Sequence, residues 1–331
     1  MVRNTRRTRI QTLGLVGLGL ALLALAIWRV GTGLGAWGRG QGISPDGTAT
    51  PTSWPSARLA SPEYGLQASL WWDEDVARRD LQLIQDTGFG WVKQQVGWRD
   101  VEGMAKSYFD WYFTDRIVAD AEAAGLDILF RLDSEPVWTV PERGTTSSNG
   151  PPDNPQDFGD FCHAMAERYQ GRVRAYQVWN EPNLAREWGG WPPDPDGYVE
   201  LLRACYVGIK TADPEALVIS AGLAPTGNGP PGAMPDVEYL IAMYEAGAAS
   251  YFDLLGVHAP GFLYPPEISP REVAEKHDGY DFFCFRHVET LREIMVQYGD
   301  EHKQVAVLEM GWTTDPVHPD YAWFAVTPEQ Q

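Results

Sequence analysis

From residue 63 onward, short runs of apolar residues alternate with longer segments in which apolar positions recur every three to four residues. The short runs have the length of strands and fall at 66–71, 91–96, 128–132, 174–179, 217–221, 252–257 and 305–308. The longer segments, at 75–87, 110–124, 155–170, 197–211, 237–246 and 281–298, have the period of a helix with one buried face. Gly88, Gly125 and Gly171 each follow a helical segment directly, where a chain leaving a helix turns left-handed. Strand then helix, repeated up to a seventh strand, predicts parallel strands joined by right-handed crossovers.

A closed barrel and an open doubly wound sheet share that grammar. The polar residues separate them: Asp73, Trp98, Asp133, Asn180, Glu181, His258, Glu309 and Trp312 stand just after many different strands. A barrel gathers all such positions at its C-terminal mouth, whereas an open sheet gathers ligand groups at one switch point. The sequence therefore predicts an α/β chain of the (β/α)8 TIM-barrel type. Only about twenty residues follow the seventh strand, and Thr327, Pro328 and Glu329 resemble the start of one more helix. The eighth β/α unit is expected to be missing through truncation, because an unpaired seam would expose backbone groups.

Ahead of the barrel, residues 62–331, the pattern changes. Arg3, Arg6, Arg7 and Arg9 precede an uncharged apolar run at 13–28, with Arg29 behind it. Residues 1–30 read as a signal peptide, with Ala24-Leu25-Ala26 as a cleavage signal, or as a signal anchor with its amino end inside. Residues 31–61 are rich in Gly, Pro, Ser and Thr and read as an extended linker. The barrel is thus expected outside the cytoplasm, secreted or held at the cell surface, touching the membrane through the N-terminal segment only. The glycines near the apolar run follow no strand and precede no phosphate-binding lysine, so they are not read as a nucleotide loop.

Composition adds two constraints. The net charge is -19, and without the first thirty residues 21 basic residues face 45 acidic ones. A surface that acidic repels nucleic acid and anionic lipid. Fourteen Trp and fourteen Tyr supply flat faces of the kind that stack on sugar rings, although most such residues serve the core. Cys162, Cys205 and Cys284 lie far apart, which allows at most one disulfide; the first two fall on helical segments that a barrel makes neighbours. Six histidines without HxH or HExxH spacing give no metal signature, and no cofactor motif is present.

The chemistry is expected where two strands end. Val178-Trp179-Asn180-Glu181-Pro182-Asn183 closes the fourth strand, since Pro182 cannot donate to a ladder, and Val307-Leu308-Glu309-Met310-Gly311-Trp312 closes the seventh. Alternation puts Val173, Ala175, Gln177, Trp179 and Glu181 on one face, and Val305, Val307 and Glu309 on one face, so both glutamates are expected to point to the barrel axis. Asn-Glu-Pro after strand four with a second Glu closing strand seven resembles clan A of the glycoside hydrolases, the 4/7 superfamily. Within the clan the two segments are most similar to family 39 and the related family 5, over about residues 62–331.

That resemblance implies a retaining glycosidase with Glu181 as acid/base, Glu309 as nucleophile and Asn180 on the sugar 2-hydroxyl. It implies a poly- or oligosaccharide substrate with β-linkages. Retention needs two carboxyl groups about 5 to 5.5 Å apart, one protonated and one ionised, and the charge of Glu309 is expected to raise the pKa of Glu181. His258 resembles the clan's site histidine. Pro260 stands where the clan often has a tyrosine on the nucleophile, a contact left to Tyr264. Arg131, on strand three, is a candidate to orient the nucleophile, and Trp98, Trp138 and Trp312 are candidate sugar platforms. The clan's strand-eight tryptophan has no counterpart. Asp133 and Glu135 read as acids of a solvated loop. The alternative is a noncatalytic carbohydrate-binding protein on a degenerate barrel.

Overall fold

The computed structural model describes residues 59–60, 62–140, 149–227 and 232–331. The expected signal segment lies outside them, as does all of the linker but Leu59 and Ala60, and among the described residues no helix is long and apolar enough to cross a membrane. Seven strands form one sheet in sequence order, each parallel to the next. They are β1 (Gly65–Gln67), β2 (Trp91–Gly97), β3 (Asp127–Asp133), β4 (Ala175–Val178), β5 (Leu217–Ile219), β6 (Leu254–His258) and β7 (Gln304–Glu309). The helices are α1 (Glu74–Asp86), α2 (Trp98–Val101), α3 (Tyr112–Ala123), α4 (Pro155–Arg168), α5 (Pro195–Ala212), α6 (Asp236–Glu245), α7 (Pro270–Ala274) and α8 (His287–Gln297). The short α2 and α7 were not expected, and α8 starts later than its pattern suggested because residues 281–286 form a bend and a turn.

Local chemistry fixes these boundaries. The carboxylate of Asp73 accepts from the backbone N–H groups of Asp75 and Val76 at 3.0 Å, which starts α1, and Gly88 leaves it at φ +80°. Asn154 and Asp194 cap α4 and α5, each followed by a proline at the first helical position, where the missing N–H costs nothing. Along α1 only Ala77, Leu81 and Ile84 are buried, one stripe against the sheet.

The sheet curls into most of a barrel. Its concave side is filled by Trp91, Leu129, Ala175, Leu217, Ile219, Leu254, Ala306 and Leu308, and its convex side packs on the helices through Val92, Phe130, Tyr176, Val218 and Leu255. Among the described residues no strand lies between β7 and β1. The Gln304 amide at the foot of β7 accepts from Leu59 N at 2.9 Å and donates to Leu59 O at 3.1 Å, so a side chain spans part of that gap. β1 is exposed throughout and β7 only partly covered, while β4, β5 and β6 are wholly buried. Residues 325–331, where one more helix was expected to begin, form a loop and a turn.

α4 and α5 approach more closely than any other helix pair needs to. A Cβ on Gly208 would stand 2.3 Å from the Gly159 carbonyl oxygen, so glycine is required there. Cys162 and Cys205 are joined across that contact in a disulfide 43 residues apart, and Cys284 is a free, buried thiol. Closing a loop of that length removes about 4 kcal/mol of chain entropy from the unfolded state.

Candidate functional site

β4 ends in a distorted turn that aims its polar residues. Trp179 has φ +72° and Glu181 φ +41°, conformations that cost a non-glycine residue roughly 1–3 kcal/mol each. The turn breaks the alternation of the strand. Trp179 swings to the helix side, against Phe158 and Trp188, instead of inward as its parity predicted. The kink is held by Gln177 Nε2 donating to Trp179 O at 2.8 Å, by Trp179 Nε1 donating to Glu187 O at 2.8 Å, and by Glu181 N donating to Gly222 O at 3.0 Å. Buried Asn183 ties the same loop to Ala224 through a reciprocal pair of hydrogen bonds, both 2.9 Å.

β7 corrects its parity differently. Val305 packs on the helix side, while Ala306 and Leu308 join the inner cluster, the reverse of the expected faces. The β6–β7 ladder then slips: Val257 faces Val307, but His258 faces Glu309, so one residue of β7 is passed over. Such an irregularity re-aims the next side chain, and it brings Glu309 to the mouth beside His258. The His258 ring packs directly on Gly222, where a Cβ would stand 2.1 Å from His258 Cδ2.

Three side chains meet there. His258 Nδ1 is 3.0 Å from Glu181 Oε1, and His258 Nε2 is 3.8 Å from Glu309 Oε1. One oxygen of each glutamate and one ring nitrogen all lie within 4.8 Å of one another. His258 is buried, Glu181 is 15% exposed and Glu309 is 39% exposed. They open onto a cavity of about 580 Å³ that Trp312, Tyr321 and Phe324 also line. The donor set is of metal-ligating type, yet two cations already stand at Glu309. Arg131 Nη1 is 3.4 Å and Lys93 Nζ 3.5 Å from its Oε1.

Arg131 is the organiser of this corner. Its Nη1 donates to Asn180 Oδ1 at 3.1 Å and its Nε lies 2.9 Å from Asp133 Oδ2. Asp133, expected on a solvated loop, is wholly buried and also accepts from Gln95 Nε2 at 2.8 Å. Glu135 is buried as well, accepting from Gly150 N at 2.7 Å. Lys93 and Arg186 were not singled out from the sequence. A lysine inside an apolar strand run was a readable signal; for Arg186, five residues past Glu181, there was none.

The aromatic expectations divide. Trp98 is wholly buried, stacked on Phe161 and edge-on to Trp138, with Nε1 donating to Glu102 at 2.7 Å; it belongs to the core. Trp138 Nε1 donates to the Glu102 carbonyl at 2.7 Å. Trp312 lines the cavity and donates to Tyr264 O at 2.7 Å. Tyr264 is brought to Trp312, and its hydroxyl pairs with His277 Nε2 at 2.8 Å rather than with Glu309.

Electrostatics depart from expectation at Glu181. Burial works to raise its carboxyl, but the hydrogen bond and charge of His258 and the guanidinium of Arg186 outweigh burial and hold it below the ordinary glutamate range. The expected elevation by Glu309 is not what the arrangement gives. Burial also lowers Lys93 to about 8, partly offset by Glu309. Between that value and the ordinary 10.5 the unfolded chain holds a proton that the folded chain does not. Stability therefore rises with pH across that window as the cost of burying an ammonium is relieved. Urea unfolding at pH 7, 8.5 and 10 is expected to show wild type gaining on Lys93→Met as pH increases. A difference that stays flat would sink this account of Lys93.

No protein-family description matches the sequence, and no curated protein does. Solved structures share the fold. A glucosidase from Croceicoccus marinus aligns with TM-score 0.56 and 13% identity over 80% of this chain and 55% of its own. A GH39 β-xylosidase from Caulobacter crescentus aligns with TM-score 0.53 and 21% identity over 82% and 58%. A family 39 glycoside hydrolase from Bacteroides cellulosilyticus WH2 aligns with TM-score 0.52 and 17% identity over 80% and 59%. This chain thus spans under three-fifths of each of those proteins, and it has the barrel fold of the glycoside hydrolases it resembles.

Proposed function

We propose that the chain is a retaining glycoside hydrolase that cleaves β-linked oligo- or polysaccharide by double displacement, with Glu309 as nucleophile and Glu181 as general acid/base. The observation that carries the reading is the approach of the two carboxylates to within 4.8 Å of each other, oxygen to oxygen. That is near the spacing of about 5 to 5.5 Å used for retention and well under the roughly 6.5–9.5 Å that inversion needs to seat a water. The glucosidase and the β-xylosidase that share this fold support a sugar substrate, the second of them a β-linked one.

Each residue then has a task. Arg131 and Lys93 stand at Oε1 of Glu309, which leaves Oε2 to attack the anomeric carbon. As the C1–O bond breaks, Glu181 gives its proton to the leaving oxygen, and a glycosyl ester forms on Glu309. The ester removes the charge of Glu309; Glu181, now ionised, takes a proton from water, and the resulting hydroxide attack releases the sugar with its configuration retained. Arg131 occupies the Asn180 amide oxygen, which presents the Nδ2 group for the 2-hydroxyl. An extracytoplasmic site of action is part of the proposal, supported by the Arg-led apolar N-terminus and the Cys162–Cys205 disulfide.

The test is a panel of aryl β-glycosides and β-linked polysaccharides, with the first product followed by proton NMR before it mutarotates. The β-anomer is expected to form first. An α-anomer as first product overturns double displacement. Binding without hydrolysis across the panel overturns the enzyme reading in favour of a sugar-binding barrel.

A further inference from the structure

Both oxygens of the Glu181 carboxylate are engaged. Oε1 faces His258 Nδ1 at 3.0 Å, and Oε2 accepts from Arg186 Nη2 at 3.0 Å. The two partners differ in freedom. His258 is buried and its ring is pressed on Gly222, whereas the Arg186 side chain is 71% exposed. A general acid must bring a proton to within hydrogen-bond reach of the glycosidic oxygen. On this carboxyl Oε1 is turned to the immobile histidine, so the leaving group has to meet Oε2, where the guanidinium sits.

A second acceptor lies next to the first. Arg186 Nε is 3.8 Å from Glu187 Oε1 in this structure, and Glu187 is a half-buried carboxylate on the same turn. Glu187 is held by one hydrogen bond from Asn149 Nδ2 at 3.0 Å. Burial raises its carboxyl, so a guanidinium that moved fully onto it would relieve a cost already present. The groups around the Glu181 carboxyl are therefore His258 from β6, Arg186 and Glu187 from its own loop, and Glu309 with Arg131 and Lys93 from β7, β3 and β2.

We propose that Arg186 is a positioning residue that gates the acid: its guanidinium covers Glu181 Oε2 and is displaced onto Glu187 by the arriving leaving-group sugar. Binding of that sugar and arming of the acid are then one event. Once the cation has moved, Glu181 loses part of what stabilises its ionised form and takes a proton from solvent. That proton passes to the glycosidic oxygen as the bond to C1 breaks. The inference rests on Glu181 being the acid/base.

Two measurements on the full chain keep the inference and that reading apart. Carbon NMR of glutamate carboxyls, with Glu181 assigned by loss of its signal in Glu181→Gln, gives the titration midpoint without any catalysis. Arg186→Gln is expected to raise the midpoint by about one unit, and Arg186→Lys, which keeps the charge, to leave it near wild type. An unmoved midpoint in Arg186→Gln overturns the gate whatever the enzyme does. In kinetics with phenyl β-glycosides, the alkaline limb of kcat/KM, which reports free enzyme, is expected to lie below that of kcat in wild type. Arg186→Gln should close the gap by raising the first alone. Coincident limbs in wild type overturn the gate, and wild type inactive on every sugar of the panel overturns the acid/base reading and the gate with it.

Discussion

Glu309→Ala is expected to reduce turnover by about 10⁵-fold or more, some 7 kcal/mol of barrier, for every substrate whatever its leaving group. The reason is positional. Oε2 of Glu309 is the atom assigned to the anomeric carbon, and the two basic groups beside the carboxylate, Lys93 and Arg131, stand at its other oxygen. Removing the side chain leaves a hole that a small anion fits. With a dinitrophenyl β-glycoside, added azide is expected to restore part of the rate and to give the α-glycosyl azide, attack having come from the face of the missing carboxylate. A β-azide, or a variant that keeps more than about a hundredth of wild-type rate, would take the nucleophile assignment away from Glu309. The same substitution strips Lys93 of its nearest carboxylate while leaving it buried, so a fall in stability is expected alongside. Activity is therefore to be compared below the melting range of the variant.

The barrel was legible because it is written in periods. Seven apolar runs became seven strands in order, and each expected long helix lies within a few residues of its pattern except α8. Which side chain faces which way was legible only where strands stay regular. Trp179 and Val305 were both given to the axis by counting in twos, and both turned out to face helices. A left-handed residue ends β4, and a skipped residue lies in β7. Those two defects are what deliver Glu181 and Glu309 to one point, so the count in twos fails at Trp179 and Val305 while the two glutamates still meet.

Charge was harder still. Asp133 and Glu135 read as loop acids because a sequence does not show that Arg131, Gln95 and Gly150 lie beside them. The direction of the Glu181 shift was misjudged for the same reason. Two carboxylates alone would push one of them up, but the side chains that decide it, His258 and Arg186, lie 77 and 5 positions away and share no pattern with it. Trp98 shows the converse error. A tryptophan after a strand looks like a sugar platform until Phe158 and Phe161 of α4 close over it.

Glu181→Ala separates the two glutamates by the leaving group. Hydrolysis of a phenyl β-glycoside, whose leaving oxygen needs a proton, is expected to slow by about 10²–10⁴-fold, while departure of dinitrophenolate needs none and its first step should be nearly unchanged. With that activated substrate the second step becomes limiting, because no base remains to draw a proton from water, and a burst of phenolate followed by a slow phase should appear. Azide needs no such base. It is expected to speed the slow phase and to give the β-glycosyl azide, since it attacks the ester on Glu309 from the opposite face. The variant should also lose the alkaline limb of kcat that wild type shows, as the group that titrates there is gone. Equal slowing for phenyl and dinitrophenyl substrates would mean that Glu181 acts on binding or on Glu309 through His258, which touches both. In that case the proton would have to come from another group, and Glu187, held up by burial on the neighbouring turn, is the one the geometry offers.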